Sequence, residues 1–479
     1  MHEPLFAIVS ALVGLLYLLG IAAAIDAIFR ARSSQSAIAW SLSLLMFPLI
    51  ALPLYLLFSD RKFTAYLQSR RAGDAEIHRL VEKLGRELTP RVKAPLEKDT
   101  RELAVFERLA RFPFMRYNAA RLLIDGEATF DAILRGIDEA QEYILMQFYI
   151  VKDDTIGNRV KQALMKKARE GVRISFMYDI IGSYPLPDAW LQELEQAGIR
   201  TTGFGKLTHR KINRLQLNFR NHRKIVVIDG KTAFVGGLNI GDEYLGRDPH
   251  FSPWRDTHVE IHGPAALCVQ LTFLEDWFWM EQSMPEVDWH PALDPGEDQQ
   301  ILAVPSGPAD ELDTCGLLFT QLIHAATSRI WIVSPYFVPD ETVISALQLA
   351  VLRGVDVRIL IPQKADHRLV QLAGYSYLEE TIPYGIRVFR YTRGFLHQKA
   401  VLVDDALAAI GTANLDNRSF RLNFEITLLF ASRAMTDDIG AMLESDFANA
   451  RELSLEEFNR QPLWFHFAVK VSRLLSPLL

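Results

Sequence analysis

Cysteine is scarce: Cys268 and Cys315 are the only two in 479 residues. They lie too far apart in sequence for the short-spaced ligand set of a structural zinc site, and two do not make a disulfide framework. They read as small apolar side chains in a reducing compartment. A Gly-x-x-x-x-Gly-Lys-Ser/Thr loop is also missing, and Gly203-Phe204-Gly205-Lys206 is too short to replace it. So is a basic excess. Lys and Arg number 52 against 58 Asp and Glu, for a net charge of −6 and a pI near 6.1, which argues against a general nucleic-acid binder. With no carboxylate cluster or His/Cys set to suggest a metal, nothing in the chain asks for a nucleotide, a metal or another cofactor.

Long apolar runs are present, and they open the chain. Leu5 to Ile25 is uncharged, and at 1.5 Å per residue a helix of about 20 residues spans a hydrocarbon layer. Asp26, Arg30 and Arg32 close it. A second uncharged run, Ala37 to Phe58, contains Pro48 and Pro53 and follows a short polar loop, Ser33 to Ser36. Two runs so joined predict a transmembrane helical hairpin over residues 1–60. A cleaved signal peptide fits less well, since no basic segment precedes the first run and a second run follows it. The loop carries Arg30 and Arg32 and the far flank Arg61, Lys62, Arg70 and Arg71. The flanking charges give only a mild preference for a cytoplasmic body, and the free cysteines lean the same way.

Residues 61–117 read as a polar, helical connector, for example Glu76 to Leu88. After it the chain runs through the same order twice. In 118–290, Phe130–Gln141 is predicted helical, Tyr143–Val151 a strand, Ile156–Ala168 a helix stopped by Gly171, and Val172–Tyr178 a strand. In 301–450, Leu318–Thr327 is helical, Ile330–Val338 a strand, Thr342–Leu352 a helix stopped by Gly354, and Val355–Ile361 a strand. Tyr149-Ile150-Val151 matches Tyr336-Phe337-Val338, and Gly198-Ile199-Arg200 matches Gly385-Ile386-Arg387. Alternating strands and helices predict two tandem α/β domains, each with a mixed, largely parallel sheet. Pro285 to Gln300, rich in Pro, Asp and Gly, reads as a linker.

The repeat carries its chemistry in two stretches, Asn221-His222-Arg223-Lys224 through Asp229 and Leu396-His397-Gln398-Lys399 through Asp404. Both read His-x-Lys-x-x-x-x-Asp and run into apolar, β-branched residues. In a strand, residues two apart share a face, so each His and its Lys point the same way. Each Asp falls at a turn and reads as a strand-end support. Asn239 and Asn414 follow their His by the same 17 positions (222 to 239, 397 to 414), and an acid, Asp256 or Glu425, opens the next strand. Two Lys and two Asn suit an anionic phosphoryl group. One imidazole can attack phosphorus while the other protonates the leaving alcohol, and Asp256 and Glu425 can each hold an imidazole in the useful tautomer. We assign His222 as nucleophile and His397 as acid/base. A phosphohistidine keeps the energy of the broken phosphodiester for either water or another alcohol.

Two further segments suggest contact with anionic membrane lipids. The interval before His222 is 12 residues longer than its counterpart (198 to 222 against 385 to 397) and holds Lys206, His209, Arg210, Lys211 and Arg214, followed by Arg220 and Arg223. The tail, 451–479, places His466, Lys470 and Arg473 on one face of an otherwise apolar helix, the profile of an interfacial helix. A solvated loop and a helix packed on the protein's own core are the plainer readings.

The paired motifs, the Gly-x-x-Asn after each, and Asn423-Phe424-Glu425 resemble the phospholipase D superfamily. Within it, the hairpin, Trp254-Arg255-Asp256, Ser334-Pro335-Tyr336-Phe337-Val338-Pro339, Asn414-Leu415-Asp416-Asn417-Arg418-Ser419 and Ser476-Pro477-Leu478-Leu479 are similar to bacterial cardiolipin synthases of the two-span type. That resemblance implies an inner-membrane enzyme joining two phosphatidylglycerols into cardiolipin with release of glycerol. Its catalytic motifs would be His222, Lys224 and Asp229, and His397, Lys399 and Asp404. Gly237 departs from it, where many relatives have Ser and the second copy has Thr412. A phospholipase D-type lipid hydrolase and a catalytically silent membrane scaffold are the alternatives. A nuclease is disfavoured, and a homo-oligomer is left open.

Overall fold

The computed structural model describes residues 2–31, 34–58, 79, 82, 89–94, 101–205, 219–293 and 296–476. The chain forms two compact units, Met1–Ala72 with Leu207–Phe219, and Gly73–Lys206 with Arg220–Leu479. In the first unit a helix runs over His2–Arg30, and its Ile8–Arg30 portion is long and apolar enough to cross a membrane. The second apolar run is helical but divided, into Ser34–Met46 and Pro48–Phe58. Neither part alone is long enough to count as a span. The cause is local: Pro48 has no N–H to donate, although Phe47 still donates to Ser43 O and accepts from Ala51 N at 2.8 Å. The runs fold back on each other through Ala24, Ala27, Leu44, Ala51 and Tyr55. A Cβ on Gly20 would sit 2.7 Å from Leu44 O, so the close approach depends on glycine there. Arg61, Lys62, Arg70, Arg71, most of Glu76 to Leu88, and Lys206, His209, Arg210, Lys211 and Arg214 lie outside the described residues, as do Arg32 and Pro477 to Leu479.

The second unit is built on one continuous sheet. Its first half supplies β1 (Met115–Ile124), β2 (Tyr143–Phe148), β3 (Arg173–Asp179), β4 (Arg200–Phe204), β5 (Ile225–Ile228), β6 (Thr232–Gly236) and β7 (Thr257–His262). The second half supplies β8 (Gln299–Ser306), β9 (Arg329–Val333), β10 (Asp356–Pro362), β11 (Arg387–Tyr391), β12 (Ala400–Val403), β13 (Leu407–Gly411) and β14 (Asn423–Phe430). The spatial orders are β1-β7-β6-β5-β2-β3-β4 and β8-β14-β13-β12-β9-β10-β11, one topology used twice, and the halves join where β1 pairs antiparallel with β8. Helices fall at matching places, Asp125–Glu139 with Thr314–Ala325, Thr155–Arg169 with Glu341–Leu352, and Ala265–Glu281 with Arg433–Ala448. Each half closes its own apolar core, around Phe130, Ile144 and Phe176 in one and Leu318, Ile332 and Val388 in the other.

The expectation of a largely parallel sheet is overturned. Along these two orders β2-β3-β4 and β9-β10-β11 run parallel, while the other pairings, including β1 with β8, are antiparallel. The tight turns at Asp229-Gly230 and Asp404-Asp405 send the chain straight back, where a parallel connection would need a crossover helix. Asp229, with φ 51°, and Gly230, with φ 67°, give the left-handed pair that such a hairpin requires.

Candidate active site

Neither His-x-Lys lies inside a strand. Just before each, two residues pair with the opposite half: Arg220-Asn221 with Asn423-Phe424, and Phe395-Leu396 with Trp254-Arg255. The chain then crosses over the motif and enters β5 or β12 of its own half. At the crossing His222 N donates to Phe424 O at 2.9 Å and His397 N to Arg255 O at 2.8 Å. Aromatics anchor the exchange. Phe395 of the second half lies in the first half's core against Trp254, with ring centroids 4.8 Å apart, and Phe424 packs on Phe204 at 5.3 Å.

The acids are exchanged in the same way. Glu425 of the second half lies 2.9 and 3.0 Å from His222 Nδ1, and Asp256 of the first half lies 2.8 Å from His397 Nδ1. An ionised carboxylate only accepts, so each Nδ1 carries the proton and each Nε2 is left with its lone pair. Burial holds both imidazoles below their usual range, His222 at about 4, with Glu425 opposing that shift and Lys224 and Lys399 adding to it. Burial likewise brings Lys224 down to about 7 and Lys399 to about 8. Both carboxyls are held below normal: burial pushes the other way, and the neighbouring Lys and His charges outweigh it. Lys224 and Lys399 each donate to the carbonyl of their own His, and Lys399 Nζ also lies 2.9 Å from His397 Nδ1.

The two carboxylates receive unequal support. Glu425 also accepts from Thr412 Oγ1 at 2.6 Å, Ser419 Oγ at 3.0 Å and Asn423 Nδ2 at 3.1 Å. Asp256 also accepts from Thr257 N at 2.8 Å and, weakly, from Trp254 Nε1 at 3.4 Å. Gly237, the position matching Thr412, accounts for one of the missing bonds. A Cβ there would lie 2.0 Å from Asp256 Oδ1, so the carboxylate occupies the space a side chain would take.

The two motif aspartates act as strand-end supports. Asp229 accepts from the N–H groups of Gln141, Glu142 and Tyr143, each at 2.8 Å. Asp404 accepts from Thr327, Ser328 and Arg329 N–H and from two hydroxyls, and these bonds outweigh partial burial to bring it down to about 2. Each pins the end of β5 or β12 to the start of β2 or β9. Asn239 is engaged at both ends, by Ile150 N and Tyr244 OH. Asn414 is buried, its backbone N–H donates at 3.0 Å to Ser419 Oγ, the hydroxyl that also reaches Glu425, and among the described residues its Oδ1 has no partner. Several residues escaped sequence reasoning. Tyr149 packs its ring 5.0 Å from that of His222. Asp276 holds Arg223 Nη1 at 2.6 Å, and Asp446 holds Arg255 through two bonds of 2.8 Å and Gln398 at 3.0 Å. An acid amid buried apolar helix residues was the available signal for Asp276 and Asp446.

Two imidazoles braced crosswise on a duplicated sheet define a phospholipase D-like site. The family description "Cardiolipin synthase, PLD-like domain" matches residues 133–252 and 319–447, and "Phospholipase_D-nuclease N-terminal" matches 18–59. Over 481 residues the chain is 48% identical to cardiolipin synthase A of Pseudomonas entomophila, covering 100% of this chain and 99% of that protein. It is also 48% identical to the Pseudomonas putida strain W619 protein of the same name, with the same coverage. Among solved structures, phosphatidylserine synthase of Haemophilus influenzae aligns with a TM-score of 0.59 at 15% identity, over 79% of this chain and all of that one, and shares the fold. The chain belongs to the cardiolipin synthase family of phospholipase D-like proteins.

Proposed function

We propose that this chain transfers a phosphatidyl group from one phosphatidylglycerol to another through a phosphohistidine, as a cardiolipin synthase. The observation that carries the reading is the exchange of acids, Glu425 on His222 and Asp256 on His397, which ties both imidazoles to one junction between the halves. His222 Nε2 attacks the donor phosphorus. The P–O bond to the glycerol headgroup breaks, and that oxygen takes a proton from His397. A hydroxyl of the second phosphatidylglycerol then attacks the same phosphorus and gives its proton back to His397. The P–N bond breaks, its electrons return to Nε2, and cardiolipin leaves. Lys224 and Lys399 supply positive charge, and the bound phosphodiester in turn favours their charged forms and that of His397. Gly237 and Thr412 make the halves unequal. The heavily bonded Glu425 suits a rigid nucleophile and the barer Asp256 an imidazole that must change charge.

The apolar helices suit a membrane anchor, and the reading includes a two-span hairpin in the inner membrane with a cytoplasmic body. Two buried, unpaired cysteines agree with that side. The C-terminal helix Leu463–Arg473 supports lipid contact in an unexpected orientation. Lys470 and Arg473 pair with Glu379 and Glu380 of the body, while Leu463, Trp464, Phe467 and Leu474 face outward. The test is purified protein with phosphatidylglycerol alone. Cardiolipin and glycerol support transfer; phosphatidic acid and glycerol indicate hydrolysis.

A further inference from the structure

Apart from Lys224 and Lys399 at the reacting centre, the buried cations among the described residues each meet a carboxylate, with one exception. Arg223 and Arg255 each meet a buried carboxylate, Asp276 and Asp446. Arg390, on β11, is only 6% exposed, yet its Nε has no hydrogen-bond partner and no ion pair reaches it among the described residues. Its guanidinium lies over the Tyr375 ring, 4.5 Å from the centroid. A buried cation without a counter-ion is costly to keep, and a stacked guanidinium with its edge free is suited to an anion.

Arg390 lines a narrow, partly open cleft with Tyr336, Phe337, Ile361, His367 and Tyr375. The cleft adjoins the reacting centre. Tyr336 holds the place in the second half that Tyr149, packed on His222, holds in the first. Its hydroxyl donates to Asp366 at 2.6 Å, and Asp366 lies near enough to His397 and Lys399 to favour their charged forms. Asp366 thus stands behind Tyr336, and Arg390 supplies a cation within a largely apolar lining.

Taking the transfer reading as its basis, we infer that this cleft receives the headgroup of the accepting lipid. Arg390 binds that lipid's own phosphodiester, and the Asp366–Tyr336 pair faces its glycerol hydroxyls. The acceptor differs from water in having both features, so the cleft decides between transfer and hydrolysis. The donor phosphodiester, held by Lys224 and Lys399, does not need Arg390.

The experiment incubates the full-length protein and its R390Q and R390K variants with vesicles containing phosphatidylglycerol and measures the ratio of cardiolipin to phosphatidic acid. This ratio is independent of how much enzyme is folded. R390Q is expected to lower it by about tenfold or more, the usual effect of losing a charge-assisted bond, and R390K to recover much of it. An unchanged ratio in R390Q, with both products falling together, overturns the acceptor cleft and leaves the transfer reading intact. A wild-type protein yielding phosphatidic acid without cardiolipin overturns both.

Discussion

Glu425 and Asp256 act on equivalent imidazoles, but one side chain more reaches Glu425 at the position where Asp256 meets Gly237. G237A is therefore expected to push Asp256 off His397 and lower kcat by about 10- to 100-fold, with little change in KM, in a steady-state assay of cardiolipin formation. T412A, which leaves room and removes one hydrogen bond to Glu425, is expected to cost less. The pH profile follows from the same cluster. His222, held at about 4, is neutral and nucleophilic at pH 7, whereas Lys224 and Lys399 lose charge as the pH rises through about 7 and about 8. The expected kcat/KM falls on the alkaline side across that interval, and the kcat limb lies higher because bound phosphodiester favours the ammonium forms. A kcat/KM still rising above about pH 9 contradicts this assignment. H222A and H397A are each expected to lose about 10³-fold or more in activity.

The elements that matter most are the two crossings, where a short pairing with the other half precedes each motif. Asp446 braces one of them through Arg255 and Gln398. D446A leaves Arg255 buried with only Asp125 to meet it, and is expected to cost about 3–5 kcal/mol by chemical denaturation. Phe395→Ala empties a cross-half contact and is expected to cost a similar ~3–5 kcal/mol. These crossings were not legible in the sequence. A His-x-Lys repeat with its Asn at a fixed interval is local and shows directly. The pairing of His222 with Glu425 spans 203 positions, and nothing in the strand pattern says which half's acid meets which imidazole. The two acids could be named as candidates because each opens a strand after its motif. Asp276 and Asp446 offered only the weaker signal of a single acid amid apolar helix residues, where an acid is ordinarily solvated. The parallel reading of the sheet erred because strand-helix alternation at the start of each half was extended over β5 to β7 and β12 to β14, which pair antiparallel.

Taken whole, the body brings its halves together at one junction, where each half supplies the carboxylate that meets the other's imidazole. The duplication was readable from sequence because both halves keep the same order of elements and the same motif. The convergence was not, because it depends on the antiparallel β1–β8 seam. The membrane end was readable as composition, since an apolar run needs no partner to announce itself, but Pro48 divides the second run in a way that hydropathy does not register.

The most direct measurement of the central claim is to trap the covalent lipid adduct in the H397A variant, using phosphatidylglycerol labelled in its phosphate, and to map it by peptide mass spectrometry under non-acidic conditions. With His397 gone, both protonation of the leaving glycerol and activation of the acceptor slow, so the adduct forms slowly, persists, and is expected at His222. An adduct on a residue other than the two imidazoles, or ordinary cardiolipin synthesis by H397A with no adduct, would contradict a shared two-histidine centre.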